Sequence, residues 1–398
     1  MFRGEPVAMA QTVSSDGGTQ LPWCNDPSVV GALRLYVSGA EQNYVVYFGE
    51  QLANAATPIT VVYQKTGSCV GISAIVGAGA ATRMTGTAVY VDAAGALHNC
   101  TFTPPVSDAG ALNYAQVDLG VSDVFASSCG VTLPANTQDT WGPISPAVFV
   151  TAPGSTQQAI SAEIAYVAFG VSNGSSTPWT NPQNLMTRGS GSGTQVLLAD
   201  AIGVPPDRWW GVNVGSTGNQ QIATMLSSLT GAAADQGLGA LSTAYAQTYA
   251  SQVKILAFQA QGQIAAFWPG RTSTSLDMQN VRDGHYVPWG QIHFFTNLVN
   301  GQPSATASAV LSRLTASVPD QSLIDLAAAQ STVPQCAMQV RRLTEIGPVA
   351  PFLPPVGCGC YFEFKATGTA PAGCMACQTA SQCPASRPAC NYGYCEVQ

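Results

Sequence analysis

Between residues 30 and 130 the apolar positions switch back and forth between two spacings, and each switch marks an element. Residues 33–37 and 59–63 gather β-branched and aromatic side chains in short runs, which predicts strands. Residues 44–56 carry apolar side chains at helical spacing, and residues 70–76 open a second helix. Residues 87–91 and 96–102 flank Asp92-Ala93-Ala94-Gly95 as a hairpin would, and residues 117–121 read as a buried strand ending at Ser122-Asp123. Strand, helix, strand, helix predicts an α/β fold with a mainly parallel sheet covered on both faces. Ligands are then expected where loops converge at the carboxyl ends of the strands.

A second block resumes the alternation. Residues 162–169 read as a strand, 195–203 as a helix ending in glycine, 222–229 as a helix and 253–257 as a strand. Residues 281–289 turn back into 292–298, and 305–317 form a clear helix. Alternation that breaks off and resumes predicts two lobes joined by more than one crossing. The expected division is an N-terminal extension over 1–29, a first lobe over 30–145, a second over 146–277, a return to the first over 278–345 and a Cys-rich module over 346–398. No solenoid-type repeat is present.

Composition narrows the partners. At 398 residues, 46% apolar and only 9% charged, the chain is globular, with a neutral surface rich in Ser, Thr, Asn and Gln. The formal net charge of -7 comes from scattered side chains, and no Lys/Arg cluster could follow a nucleic-acid backbone, so nucleic acid is set aside. No run of about 18 consecutive apolar residues occurs, so no membrane span is expected. The 12 cysteines, most of them after residue 330, imply a disulfide framework and a secreted or periplasmic setting. The N-terminus lacks a signal-peptide core, although Ala8-Met9-Ala10 looks like the small-x-small box before a cleavage site.

The tail cysteines Cys336, Cys358, Cys360, Cys374, Cys377, Cys383, Cys390 and Cys395 sit among too few apolar residues to hold a core without covalent ties. Disulfides are expected there. A zinc knuckle competes through Cys374-x-x-Cys377, but the tail has no histidine, and no metal is assigned. Cys24, Cys69, Cys100 and Cys129 are expected to pair within the first lobe, Cys69 stiffening the turn at Ser68, with connectivity left open.

The candidate chemistry centres on Arg188-Gly189-Ser190-Gly191-Ser192-Gly193-Thr194, which joins one cation, several hydroxyls and glycines that bare backbone N–H groups. The apolar helix that follows places Ser192 to Thr194 at a helix N-terminus, where unpaired N–H groups and the helix dipole favour an oxyanion. A flexible Gly/Ser linker fits the same composition. A hydrolase is an alternative: Gly170-Val171-Ser172-Asn173-Gly174 matches a nucleophile elbow after a strand over 164–169, with His285 the base candidate among His98, His285 and His293. However, the polar, Pro-containing segment over 175–182 blocks the helix an elbow requires. A structural or adhesive secreted protein without a ligand is a third reading.

With Arg188 and its loop, Ser122-Asp123 and Gly67-Ser68 in view, the chain resembles the phosphate-binding proteins of bacterial ABC transporters, as a divergent member with a Cys-rich tail. The resemblance covers roughly residues 30–320, with a hairpin inserted near 85–103, and implies a two-lobed type II periplasmic-binding-protein-like fold. It implies that Gly39, Ala40, Glu41, Gly67, Ser68, Ser122, Asp123, Arg188, Gly191, Ser192, Gly193 and Thr194 close on one small anion, phosphate or a phosphorylated ligand. Arg188 would supply a charged fork, and Ser68, Ser192 and Thr194 would donate. Asp123, which can only accept, would reward a ligand carrying a proton. No catalytic residue and no cofactor are implied; the partners implied are a small anion and a transporter or cell-surface protein, with the chain acting as a monomer. Glu41 departs from the pattern, because a hydroxyl residue is expected there. Either it turns to solvent at the first turn of its helix, or the pocket takes a ligand that carries donors.

Overall fold

The computed structural model describes residues 21–397 apart from 106, 107, 109 and 173–175, so Ala8-Met9-Ala10, Asn173 and Gly174 lie outside the described residues. In the first half, β1 (Arg34–Gly39), α1 (Gln42–Ala53), β2 (Thr60–Lys65) and α2 (Ser68–Val76) follow the expected order. The hairpin β3 (Thr87–Val91) and β4 (Leu97–Thr101) comes next, and then β5 (Leu119–Ser122). Helical crossovers make neighbouring strands parallel, and β1 runs parallel to both β2 and β5.

The rest of the sheet is not parallel. A strand of 15 residues, β6 (Thr137–Thr151), is antiparallel to the returning β9 (Trp289–Asn297), and β9 is antiparallel to β5. At its far end β6 pairs with β7 (Gly239–Ser242) and β8 (Lys254–Ile255), giving the order β7-β6-β9-β5-β1-β2-β3-β4 with β8 beside β6. The expectation of a mainly parallel sheet is therefore corrected to a mixed one of nine strands. Its cause is a chain that leaves and re-enters the sheet through long strands running against the crossover set.

Strand β6 changes partner in mid-course: Pro146 still faces Trp289 of β9, whereas Ala147 faces Ser242 of β7. Proline cannot donate to a ladder, and both prolines of β6 sit where the ladder is already interrupted. Pro146 marks the change of partner, and Pro143 lies opposite the irregularity between Gln291 and His293.

After β6 the chain forms α3 (Ala162–Gly170), α4 (Gly193–Ile202) and α5 (Asn219–Ser227). Residues 162–169 are thus helical, not the expected strand. Ser161 caps that helix by accepting the Ile164 N–H at 3.2 Å, and Ala162, Ala165 and Phe169 turn inward at helical spacing. After β9 come α6 (Ala305–Leu314), α7 (Gln321–Ala329) and, within the Cys-rich region, α8 (Gly359–Thr367).

Alternation along β1 divides the core between the sheet's two faces. Leu35 and Val37 pack with Tyr44, Phe48, Phe294 and Val310 beneath α1 and α6. On the other face Val62, Ile72, Ile75, Phe102 and Phe295 gather under α2. A third cluster holds Phe149, Phe169, Leu198, Ile222 and Leu241, and Phe362 of α8 is buried in it too. The C-terminal module is therefore docked on the body. Tyr361 donates to Asp325 of α7 at 2.7 Å, and Glu363 accepts from Arg271 at 2.6 Å and Arg282 at 2.9 Å.

The cysteines pair as Cys24–Cys100, Cys69–Cys129, Cys336–Cys358, Cys360–Cys374, Cys377–Cys390 and Cys383–Cys395. Sulfurs of Cys377, Cys383 and Cys395 lie close together, but each belongs to a disulfide, which leaves no thiolate for a zinc knuckle. Among the described residues no helix is long and apolar enough to cross a membrane.

Candidate functional site

Three turns at the carboxyl ends of β1, β2 and β5 bring Gly39-Ala40-Glu41, Gly67-Ser68 and Ser122-Asp123 to one end of the sheet. Gly39 has to be glycine: at φ 139 a Cβ would stand 2.0 Å from the Val121 carbonyl oxygen. Facing them, the loop from Arg188 enters α4 at Ser192, and the turn Ser216-Thr217-Gly218 enters α5. Helices α1, α2, α4 and α5 all start without a side-chain cap. By contrast, α3, α6 and α7 are capped by Ser161, Ser304 and Asp320. Helix α8 also starts without a cap from its preceding residue, and there Glu396 accepts the Cys360 N–H; an uncapped start favours a negative group, and at α4 the Asp123 carboxylate stands against Gly193.

The two sides touch. Cys69 donates its N–H to the Gly191 carbonyl at 3.3 Å, Ser216 Oγ donates to the Thr66 carbonyl at 3.4 Å, and Lys65 Nζ donates to the Tyr245 hydroxyl at 2.9 Å. Asp123, its Oδ1 bonded by Ser68 Oγ, lies directly against Gly193. A Cβ on Gly193 would stand 1.7 Å from that carboxylate oxygen and 2.4 Å from Ser68 Oγ. Guanidinium, hydroxyl turn and acidic strand tip therefore meet at one junction.

Arg188 is only 6% exposed. Its Nη1 donates to Thr194 Oγ1 at 3.2 Å, its Nη2 donates to the Ser216 carbonyl, and its backbone N–H to Gln195 Oε1 at 2.5 Å. Three buried groups beside it lack partners: Arg188 Nε, Ser192 Oγ, and both the amide nitrogen and oxygen of Asn219, three residues beyond Ser216. Buried polar groups are normally paired, and an orphan costs about 1–3 kcal/mol.

The electrostatics couple the three charged groups. Burial pushes the Asp123 carboxyl up, against the Ser68 hydrogen bond and the Arg188 charge that hold it down. Burial lowers Arg188, opposed by Asp123, Tyr245 and Glu41. Burial and then the Asp123 charge push the Glu41 carboxyl up to about 8, opposed by Ser145, Lys65 and Arg188. Glu41 is half-buried, between solvent and these charges. It sits at the start of α1 in the left-handed region, φ 56, and accepts from Ser145 Oγ at 3.3 Å.

Other expected groups are engaged elsewhere. The Ala40 N–H donates to the Val121 carbonyl at 2.9 Å, which takes it out of any cage. Ser122 Oγ donates to the Val124 carbonyl at 2.8 Å and accepts the Val124 N–H at 3.1 Å, so it shapes the turn that carries Asp123. Gly191 offers its carbonyl to Cys69. Ser172 is exposed just after α3, a helix where a nucleophile elbow needs a strand, and His285 is an exposed side chain bonded to Asp283 at 2.7 Å. Asn219 was not anticipated; the signal was Gly218-Asn219 just ahead of the helical run that begins at Ile222. A cavity of about 470 Å³ lies apart from this junction, where Arg271, Arg282, Glu363, Arg387 and Glu396 meet under the C-terminal module.

No family model matches the chain, and no curated protein matches it. Among solved structures it is similar to a phosphate ABC transporter substrate-binding protein with bound phosphate from Clostridium perfringens, at 10% identity and TM-score 0.48, covering 76% of this chain and 99% of that one. It is also similar to an ABC-type phosphate transport receptor from Vibrio cholerae, at 13% identity and TM-score 0.47 with the same 76% and 99% coverage. The reduced regulatory domain of OxyR from Pseudomonas aeruginosa is similar at 12% identity and TM-score 0.35, covering 70% of this chain and 94% of that one. The architecture is α/β with a central mixed sheet and a disulfide-rich C-terminal region.

Proposed function

We propose that the protein is a secreted or periplasmic solute-binding protein that closes two lobes on one small oxyanion, phosphate or a phosphorylated ligand. The observation that carries this reading is the set of orphaned, buried Arg188 Nε, Ser192 Oγ and Asn219 amide beside the uncapped starts of α4 and α5. A tetrahedral oxyanion presents several acceptors at once to Arg188 Nε, Ser192 Oγ and Asn219 Nδ2, and one that carries a proton can donate it to Asn219 Oδ1. A linker reading of the same glycines leaves the burial of Arg188 without a purpose. Residues 30–145 with 278–345 act as one jaw and 146–277 as the other, the hinge running through β6 and β9. Six disulfides support an oxidising compartment. The shared chemistry also suits a transporter that receives the closed form.

Titration calorimetry of the full chain against inorganic phosphate, sulfate and glycerol phosphate at pH 6 tests the proposal. Saturable binding of a phosphate species with one site per chain is expected. No heat with any of the three from a folded sample defeats it.

A further inference from the structure

The crevice holds more negative than positive charge of its own. Glu41 and Asp123 come from the ends of adjacent parallel strands, and Arg188 is the one guanidinium acting on both. Around Glu41 the remaining groups are the Lys65 ammonium at the end of β2, the Ser145 hydroxyl of β6, and the Tyr44 and Tyr63 phenols of α1 and β2. The Lys65 ammonium is exposed and bonded to Tyr245, so it works at the rim, where water screens it. An oxyanion entering while both acids are ionised would meet two carboxylates and one enclosed cation, and like charges in a shared site force one of them to take a proton.

Asp123 cannot easily be the group that changes. Its Oδ1 already accepts from Ser68 Oγ, and it lies nearest Arg188 in effect, the first charge that holds its proton off. Among the described residues Glu41 has the long 3.3 Å bond from Ser145 as its one side-chain hydrogen bond, makes no cap for its own helix, and sits in the left-handed region at φ 56. Resting on the clamp reading above, we infer that the crevice takes up its oxyanion together with a proton on the Glu41 carboxyl, which changes that acid from an acceptor into a donor toward the ligand. The accompanying balance is simple: one proton leaves solvent or buffer and binds Glu41 when the anion enters, and it returns when the anion leaves. The ligand class this selects is an oxyanion with an unprotonated oxygen for Glu41 and a hydroxyl for Asp123, as in a hydrogen phosphate or a phosphate monoester.

Because the Glu41 carboxyl is pushed up to about 8 before any ligand arrives, its proton is already in place at neutral pH, and proton uptake with the anion belongs to more alkaline solution. Above that value each pH unit should weaken binding by about tenfold beyond the effect of the phosphate's own ionisation.

The test is calorimetry of the full chain with inorganic phosphate at pH 9, in two buffers of unlike ionisation heat, for wild type, Glu41→Gln and Glu41→Thr, with thermal melts to confirm folding. Wild type is expected to take up roughly one proton per phosphate more than either variant. Glu41→Gln is expected to bind at least about tenfold more tightly than wild type at this pH, because its amide keeps a donor and never ionises. Equal proton uptake in all three proteins overturns the inference and leaves the clamp intact. A folded Glu41→Gln protein that has lost binding overturns it as well, since a neutral donor is then not what the ligand needs. If wild type and both variants are folded and bind no phosphate even at pH 6, the clamp reading itself fails and takes this inference with it.

Discussion

Replacing Gly193 by alanine tests how the two lobes meet. The added Cβ would stand 1.7 Å from Asp123 Oδ1, 2.4 Å from Ser68 Oγ and 2.6 Å from Asp123 Cγ, where ordinary contact begins at 3.4 Å. Relief needs a shift of about 1.5–2 Å, because packed atoms do not compress by more than a few tenths of an ångström. Two routes are open. Asp123 can rotate and lose Ser68, or the start of α4 can withdraw with Arg188 and Ser192. Either displaces donors beyond the 2.7–3.2 Å window of a hydrogen bond. Losing two charge-assisted bonds at about 1.5–3 kcal/mol each weakens phosphate binding by roughly a hundredfold to ten-thousandfold. Folding stability should fall as well, because Gly193 is buried and the same displacement breaks the Ser68–Asp123 bond or moves the start of α4, so affinity is compared on samples whose melts confirm the fold. Calorimetry with phosphate gives the affinity, differential scanning calorimetry the Tm, and small-angle scattering the separation of the lobes. A variant that binds within about threefold of wild type at unchanged radius of gyration would refute the close approach of Gly193 to Asp123.

Arg188→Met should lower phosphate affinity by about a hundredfold or more with the fold retained, and Arg188→Lys should recover only part, since a point charge cannot serve Thr194, Ser216 and a ligand at once; calorimetry measures both. Burial raises the Glu345 carboxyl from 4.5 to about 7, so the folded state binds its proton more tightly than the unfolded chain. The stability this confers is complete below pH 4.5 and lost as pH rises through 7. Wild type should therefore lose about 1–3 kcal/mol over that window relative to Glu345→Gln in scanning calorimetry, and parallel pH profiles would refute it. Removing Cys336–Cys358, which closes a separation of 22 residues, by a double serine substitution should cost about 3 kcal/mol in denaturant titrations. A cost near zero would mean that the docking of Phe362 and Tyr361 holds the module without the bond.

The sequence conveyed the elements that carry their own signals. Arg188 and the glycine-rich turn before an apolar helix were legible because helix N-termini and anion loops share residue types. Strands β1, β2 and β5 were legible because they are short and end in turns. Strand β6 was not, since Gly142, Pro143 and Pro146 punctuate it in the manner of a loop. Only the returning β9 shows that those residues fall at a ladder irregularity and at a change of partner. Residues 162–169 are apolar apart from Glu163 and suit a strand or a buried helix equally, and the Ser161 cap decided it. The half-burial of Glu41 and the engagement of Ala40 and Ser122 depend on contacts made by β5 and β6, far away in sequence. Disulfide partners likewise follow from three-dimensional proximity and not from spacing.

The most direct measurement is anomalous diffraction from crystals of the full chain grown with arsenate, an oxyanion shaped like phosphate whose heavy atom reports its own position. The account predicts one arsenic peak between Arg188, Ser192 and Asn219 on one side and Asp123 on the other. A crevice without such a peak, with arsenic held instead beside Arg387 and Arg271 under the C-terminal module or nowhere in the protein, would contradict it.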